Sequence, residues 1–149
     1  MKNKKFKYLL TGLIAVLVII QFYPVDRTNP AVRGEIEASQ QVKNILKRSC
    51  NDCHSYETHW PFYSYIAPAS WLVVKDVKEG REELNFSEWD KYSQEEKAEK
   101  AEEIIEEIEE DEMPMKIYRL THPDAKLSEE ETETIRQWTN LIAESAHNN

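Results

Sequence analysis

Residues 49–54 read Ser49-Cys50-Asn51-Asp52-Cys53-His54, and the rest of the fold is best read outward from them. Cys50 and Cys53 are the two cysteines of a 149-residue chain. Two thiols are too few for a disulfide framework, and a bridge closing so short a loop adds little stability. Set three positions apart on one turn, with a histidine next, they offer two sulfurs and an imidazole together.

The flanking sequence is helical. Before the motif, Ala38 to Arg48 places Val42, Ile45 and Leu46 on one face. After it, Pro68 suits a first helical turn, and Trp71, Leu72, Val74 and Val77 follow, with the helix ending before Gly80. Ser93-Gln94-Glu95-Glu96 forms a capping-box pattern opening a third helix with Ala98, Ala101, Ile104, Ile105 and Ile108 on its apolar side. This acidic helix is expected to run to Glu112, stopped by Pro114. Ser128-Glu129-Glu130-Glu131 repeats the capping pattern before Ile135, Trp138, Leu141 and Ile142. No stretch alternates as a strand. The three glycines, Gly12, Gly34 and Gly80, argue against a turn-rich β-sandwich or a phosphate-cradling loop. The expected fold is all-α, about four helices. Its core is thin for its length, and small domains with thin cores recruit a staple or cofactor. Six rings (Tyr56, Trp60, Phe62, Tyr63, Tyr65, Trp71) fall within 16 residues. They pack on one another or wall a flat ligand, with Trp60 and Tyr63 the candidate wall residues.

The charge is uneven. The net value is −9, yet Lys2, Lys4, Lys5 and Lys7 precede the first acid, and from Pro24 onward 15 basic residues face 28 acidic ones. Such a chain is not expected to bind nucleic acid. Residues 8–23, YLLTGLIAVLVIIQFY, are uncharged and apolar. With the basic flank they read as a signal anchor, near the lower limit of about 17 residues for a span. No small-x-small cleavage site follows, and Tyr8, Phe22 and Tyr23 suit interfacial aromatic belts. The expected layout is a cytoplasmic stub (1–7), a transmembrane anchor (8–23), a polar linker with two prolines (24–30) and one soluble domain (31–149). By the positive-inside rule, that domain lies outside the cytoplasm.

There, C-x-x-C-H has a specific chemical meaning: covalent attachment of c-type haem. Two thiols on one turn can form thioethers to the two vinyl groups along one haem edge, and His54 then offers a nitrogen to the iron. A thioredoxin-like redox pair would want a strand before Cys50. A structural zinc site needs four ligands, and only His59, His122 and His147 remain to complete it. For the other face of the iron the candidates are Met113, Met115 and, best among the non-methionines, His122. His59 is too close to His54 to round the macrocycle.

The order of helix, C-x-x-C-H, middle helices, Met113-Pro114 and C-terminal helix resembles that of small monohaem cytochromes c, and this resemblance points to Met113 as the distal ligand. Four longer blocks resemble the bacterial haem-binding domain family, a group of short membrane-anchored or exported proteins with a single C-x-x-C-H. They are PVDRTNP (24–30), SCNDCHSYETHWPFYSYIAPASW (49–71), VKEGREELNFSEW (77–89) and EMPMKIYRLTHPDAKLSEEE (112–131). The resemblance spans roughly residues 24–145 and implies one covalent haem c held by Cys50 and Cys53, with His54 proximal. It implies no particular reaction.

From Glu95 to Glu112, 11 acids stand against Lys97 and Lys100. They read first as a solvated face, and second as a docking surface for a basic redox partner. The expected function is electron transfer at the outer face of a bacterial inner membrane, without enzymatic activity. The alternative is an open iron serving peroxidase chemistry or gas or redox sensing.

Overall fold

A computed structural model describes residues 2–147, with side chains described for 3–146. Met1, the Asn148-Asn149 end of the expected domain and the His147 ring lie outside the described residues. The described residues form seven α-helices and no strand. They are α1 (Lys2–Ile19), α2 (Gln40–Ser49), α3 (Asn51–His54), α4 (Ala69–Glu83), α5 (Gln94–Glu109), α6 (Lys116–Thr121) and α7 (Glu129–His147), with 3-10 turns at Ile20–Phe22, Phe62–Tyr65, Phe86–Lys91 and Pro123–Ala125. The all-α expectation holds. The four expected helices correspond to α2, α4, α5 and α7, while α3 and α6 are single short helices that tertiary contacts support.

Local rules account for the starts of the long helices. Ser39 accepts from the Val42 N–H and caps α2. Ser93 and Glu96 complete a reciprocal capping box on α5, and Ser128 and Glu131 do the same on α7. Two helix ends differ from expectation. α4 passes through Gly80 to Glu83, because Gly80 is needed inside the helix where it meets α3. α5 stops at Glu109 rather than Glu112. Asp111 adopts φ 59°, the left-handed region, and the Glu112 and Met113 N–H groups both turn back to Glu107 O at 3.0 Å. The chain therefore reverses before Pro114 is reached.

The core gathers Val42, Ile45 and Leu46 of α2, Ile104 of α5, and Ile135 and Trp138 of α7 around Phe86 and Trp89. α5 and α7 form the most extensive helix pair. Trp89 meets Trp138 at 6.1 Å, Phe86 at 6.3 Å and Tyr92 at 5.7 Å between ring centroids. Trp71, Leu72 and Leu141, expected on apolar faces, are exposed instead.

Arg48 at the end of α2 reaches Glu131 at 2.8 Å. That bond, with the Ser128 N–H, holds the Glu131 carboxyl below the ordinary glutamate value. A depressed folded pKa contributes stability above the unfolded pKa and loses it as pH falls through the folded value. Glu131→Gln keeps the cap but removes the charge. It is expected to lower the melting temperature at pH 7 by roughly 2–4 °C, and by less at pH 3. An equal loss at both pH values in parallel melts would mean that the charge contributes nothing.

Residues 24–39, of which 24–30 are expected as a linker, belong to no helix and are bonded to the domain. The Asn29 side chain donates to Thr58 O at 2.9 Å, and the Arg33 and Gly34 N–H groups donate to Ser87 O at 3.1 Å. α1 and the turn after it contain an apolar stretch, Asn3–Phe22, long enough to cross a membrane and with none of its length buried.

Candidate functional site

A cavity of about 470 Å³ opens between α3, α4 and α5, within the usual range of roughly 300–1,000 Å³ for ligand sites. Cys50, Cys53 and His54 line one wall. Gly80, Leu84 and Phe86 line a second, and Ile104 and Ile108 of α5 a third. The segment Met113-Pro114-Met115 and Tyr118 cover it. The sequence motif and the methionine segment, about 60 residues apart in the chain, thus face one space.

His54 is held in one tautomer. Its Nδ1 lies 2.9 Å from Gly80 O and 3.2 Å from Leu84 O. Carbonyl oxygens only accept, so Nδ1 carries the hydrogen and Nε2 keeps a free lone pair. Burial lowers the His54 pKa, against the opposing pull of the two carbonyls, so the ring is neutral and ready to ligate. The Phe86 ring stands 6.3 Å from the imidazole centroid.

This arrangement depends on Gly80. A Cβ there would meet Cys53 O at 2.9 Å and Cys53 Cβ at 3.2 Å, so α4 lies directly on the backbone of α3. Beside it, Arg81 organises the loop leaving His54. It donates to Ser55 O at 2.8 Å, Thr28 O at 3.1 Å, Asn29 Oδ1 at 2.8 Å and Thr58 Oγ1 at 2.9 Å.

Asp52, between the cysteines, ties the cover to the wall. Its Oδ2 accepts from the Tyr118 hydroxyl at 2.8 Å, and its Oδ1 accepts from the His59 N–H at 2.9 Å. Burial, then the Asp52 bond, raises the Tyr118 pKa, so the phenol keeps its proton. Arg119 donates to Asp111 Oδ1 at 2.7 Å and fixes the other end of the methionine segment.

Burial pushes both thiols up, to about 12. Neither is a thiolate at neutral pH, which disfavours a reactive redox pair. Among the described residues no group of three or more His, Cys, Asp and Glu side chains could hold a metal ion.

Other expected residues stand elsewhere. Trp60 and Tyr63 do not line the cavity. Thr58 Oγ1 donates to Asp52 O at 2.7 Å, and Trp60 beyond it is half-buried, its Nε1 enclosed without a hydrogen-bond partner. Tyr63 then sits behind α6, its hydroxyl 3.0 Å from Thr121 Oγ1. Phe86 and Tyr118 are the aromatic side chains of the lining instead. His59 is exposed beside Asp52 at 3.5 Å. His122 stacks on Tyr118 at 4.2 Å, outside the cavity lining. Met113 and Met115 both reach the lining. Sequence reading missed Gly80, Arg81, Phe86 and Tyr118. Only Gly80 carried a signal, as an isolated glycine in a helical pattern.

The donor set suits a flat, largely apolar ligand with a metal at its centre. Two thiols, an imidazole and two methionines line it together with the aliphatic side chains of Leu84, Ile104 and Ile108. Ser49 Oγ, also at the cavity, is buried without a hydrogen-bond partner. The sequence model of a family described as haem-binding domain matches residues 15–141. No curated protein and no solved structure matches the chain.

Proposed function

The chain belongs to the haem-binding domain family, and from that premise we propose that this haem-binding protein is a membrane-anchored monohaem c-type cytochrome that transfers electrons. The observation that carries the reading is the shared cavity of Cys50, Cys53, His54 and Met113, with His54 pinned through Nδ1 to Gly80 O.

Cys50 and Cys53 hold the group covalently. Each thiol would add across a vinyl double bond, the sulfur taking one carbon and the hydrogen the other, so no oxidant would be needed. His54 Nε2 and the Met113 thioether would hold the iron of the bound group. Bound haem supplies one-electron chemistry. Ligation by both His54 and Met113 would favour electron transfer over reaction with small ligands. Leu84, Ile104 and Ile108 exclude water. The Asp52–Tyr118 bond keeps the methionine segment closed over the site.

The anchor is α1, with its lysines cytoplasmic and the haem domain at the outer face of a bacterial inner membrane. The cavity mouth carries Asp76, Glu79, Glu83, Glu103 and Glu107 against Lys100. That balance suits a basic redox partner, whose association is steered by charge. Electron-transfer rates to such a partner are expected to fall with ionic strength; a flat salt dependence would remove the docking role.

The central test is a haem stain and pyridine haemochrome assay on protein made with a haem-attachment system. Covalent haem is expected in the native protein and not in Cys50→Ala/Cys53→Ala. Its absence from the native protein would overturn the reading. Met113→Ala is expected to change the spectrum and let the reduced protein bind carbon monoxide, while Met115→Ala does neither. The reverse pattern would transfer the axial role to Met115.

A further inference from the structure

Residues 58–75 contain no Asp or Glu, in a chain that carries 28. Within that stretch, Phe62, Tyr65, Ile66 and Leu72 are 78, 60, 51 and 45 % exposed. Large apolar side chains gathered in one acid-free region of so acidic a protein call for a particular neighbour.

The same region is fastened to the end of α1. Gln21 Oε1 accepts from the Ala67 N–H at 2.9 Å. Gln21 Nε2 donates to Ala67 O at 3.1 Å and to Leu17 O at 2.8 Å. One amide thus reaches both the last full turn of α1 and the turn at Ala67, which holds that turn against the helix end. Tyr23 packs edge-on against Trp71 at 5.8 Å. The Arg27 guanidinium lies 4.5 Å over the Tyr65 ring and donates to Ser64 O at 3.1 Å.

We infer that the face formed by residues 62–72 rests on the lipid surface, so that the domain is docked on the membrane rather than tethered above it. This rests on the reading of α1 as a span. If Asn3–Phe22 crosses the bilayer, Gln21 to Tyr23 mark its outer edge, and Ala67 and Trp71 are held at that level. Tyr and Trp favour such interfaces. Ile66, Leu72 and Phe62 gain by burying apolar area there. Anionic headgroups repel carboxylates, and this is the face that has none. The Gln21 amide also satisfies a backbone N–H and carbonyl where water is scarce. α4 then runs from the lipid surface to the haem site, since Gly80 lies nine residues beyond Trp71, about 14 Å of helix.

The test uses the full haem-loaded chain in liposomes containing a photoactivatable phosphatidylcholine, with lipid adducts mapped by peptide mass spectrometry. Adducts are expected on the α1 peptide and on the 62–72 peptide, and not on α5. Ile66→Glu/Leu72→Glu alters exposed positions, so its haem spectrum and melting should be unchanged. It should keep the α1 adduct and lose the one at 62–72. Adducts on α1 without any at 62–72 in the native chain would overturn the docking inference alone and leave the face to a protein partner. No adduct on α1 would overturn the membrane span as well.

Discussion

Gly80→Ala is expected to lower the stability of the protein, although the same substitution stabilises most helix interiors. Gly within a helix costs up to about 1 kcal/mol relative to Ala, so propensity alone favours the change. Here the new Cβ would stand 2.9 Å from Cys53 O and 3.3 Å from Cys53 C. Those are backbone atoms of α3, which cannot swing aside as a side chain would. α4 must retreat from α3, at an overpacking cost of roughly 1–3 kcal/mol. The retreat also draws Gly80 O away from His54 Nδ1, now 2.9 Å apart. A looser N–H···O bond makes the imidazole a weaker donor, so the reduction potential should rise. Gly80→Val should lose about 3 kcal/mol or more. Thermal melts and redox titration of the haem-loaded variants check this. A Gly80→Ala protein that melts at or above the native temperature with an unchanged potential would show that α4 does not press on the Cys53 backbone.

Arg81→Met is expected to be as damaging from the opposite direction, by removing partners instead of adding atoms. The guanidinium bonds four oxygens from two segments, 28–29 and 55–58. Thr28 O and Asn29 Oδ1 lie in exposed surroundings and can turn to water. Ser55 and Thr58 are buried, and their oxygens lose charge-assisted bonds worth roughly 1.5–3 kcal/mol each, less than additively. The net loss should be about 2–4 kcal/mol, on the order of 10 °C in melting temperature. Arg81→Lys should rescue little, because one ammonium cannot replace a planar fork. Hydrogen exchange should quicken at residues 55–58 in both variants. Native-like melting of Arg81→Lys would reduce the Arg81 contribution to its charge.

These two residues are neighbours on α4, yet neither stands out in the sequence as a site residue. Gly80 reads locally as the end of a helix, and Arg81 as one more charge on a surface. Their roles come from a packing contact and a hydrogen-bond set across 26 residues of chain. Ser93 and Ser128 are the opposite case. Each capping box is complete within four residues, and both form where the spacing places them.

Spacing along the chain therefore determined whatever is settled within one or two turns. That includes the all-α character, the starts of α5 and α7, the pairing of Cys50 and Cys53 beside His54, and the apolar stretch of α1. Local hydrogen bonds and helical periodicity decide these features before any tertiary contact exists. Tertiary structure alone decided the rest. Tyr118 reaches Asp52 across 66 positions and lines the cavity, which Trp60 and Tyr63 do not. Gln21 at the end of the apolar stretch reaches Ala67 across 46, and Asn29 reaches Thr58 across 29. Such contacts depend on how helices pack, and packing depends on shape and burial summed over the whole domain, which no short motif encodes.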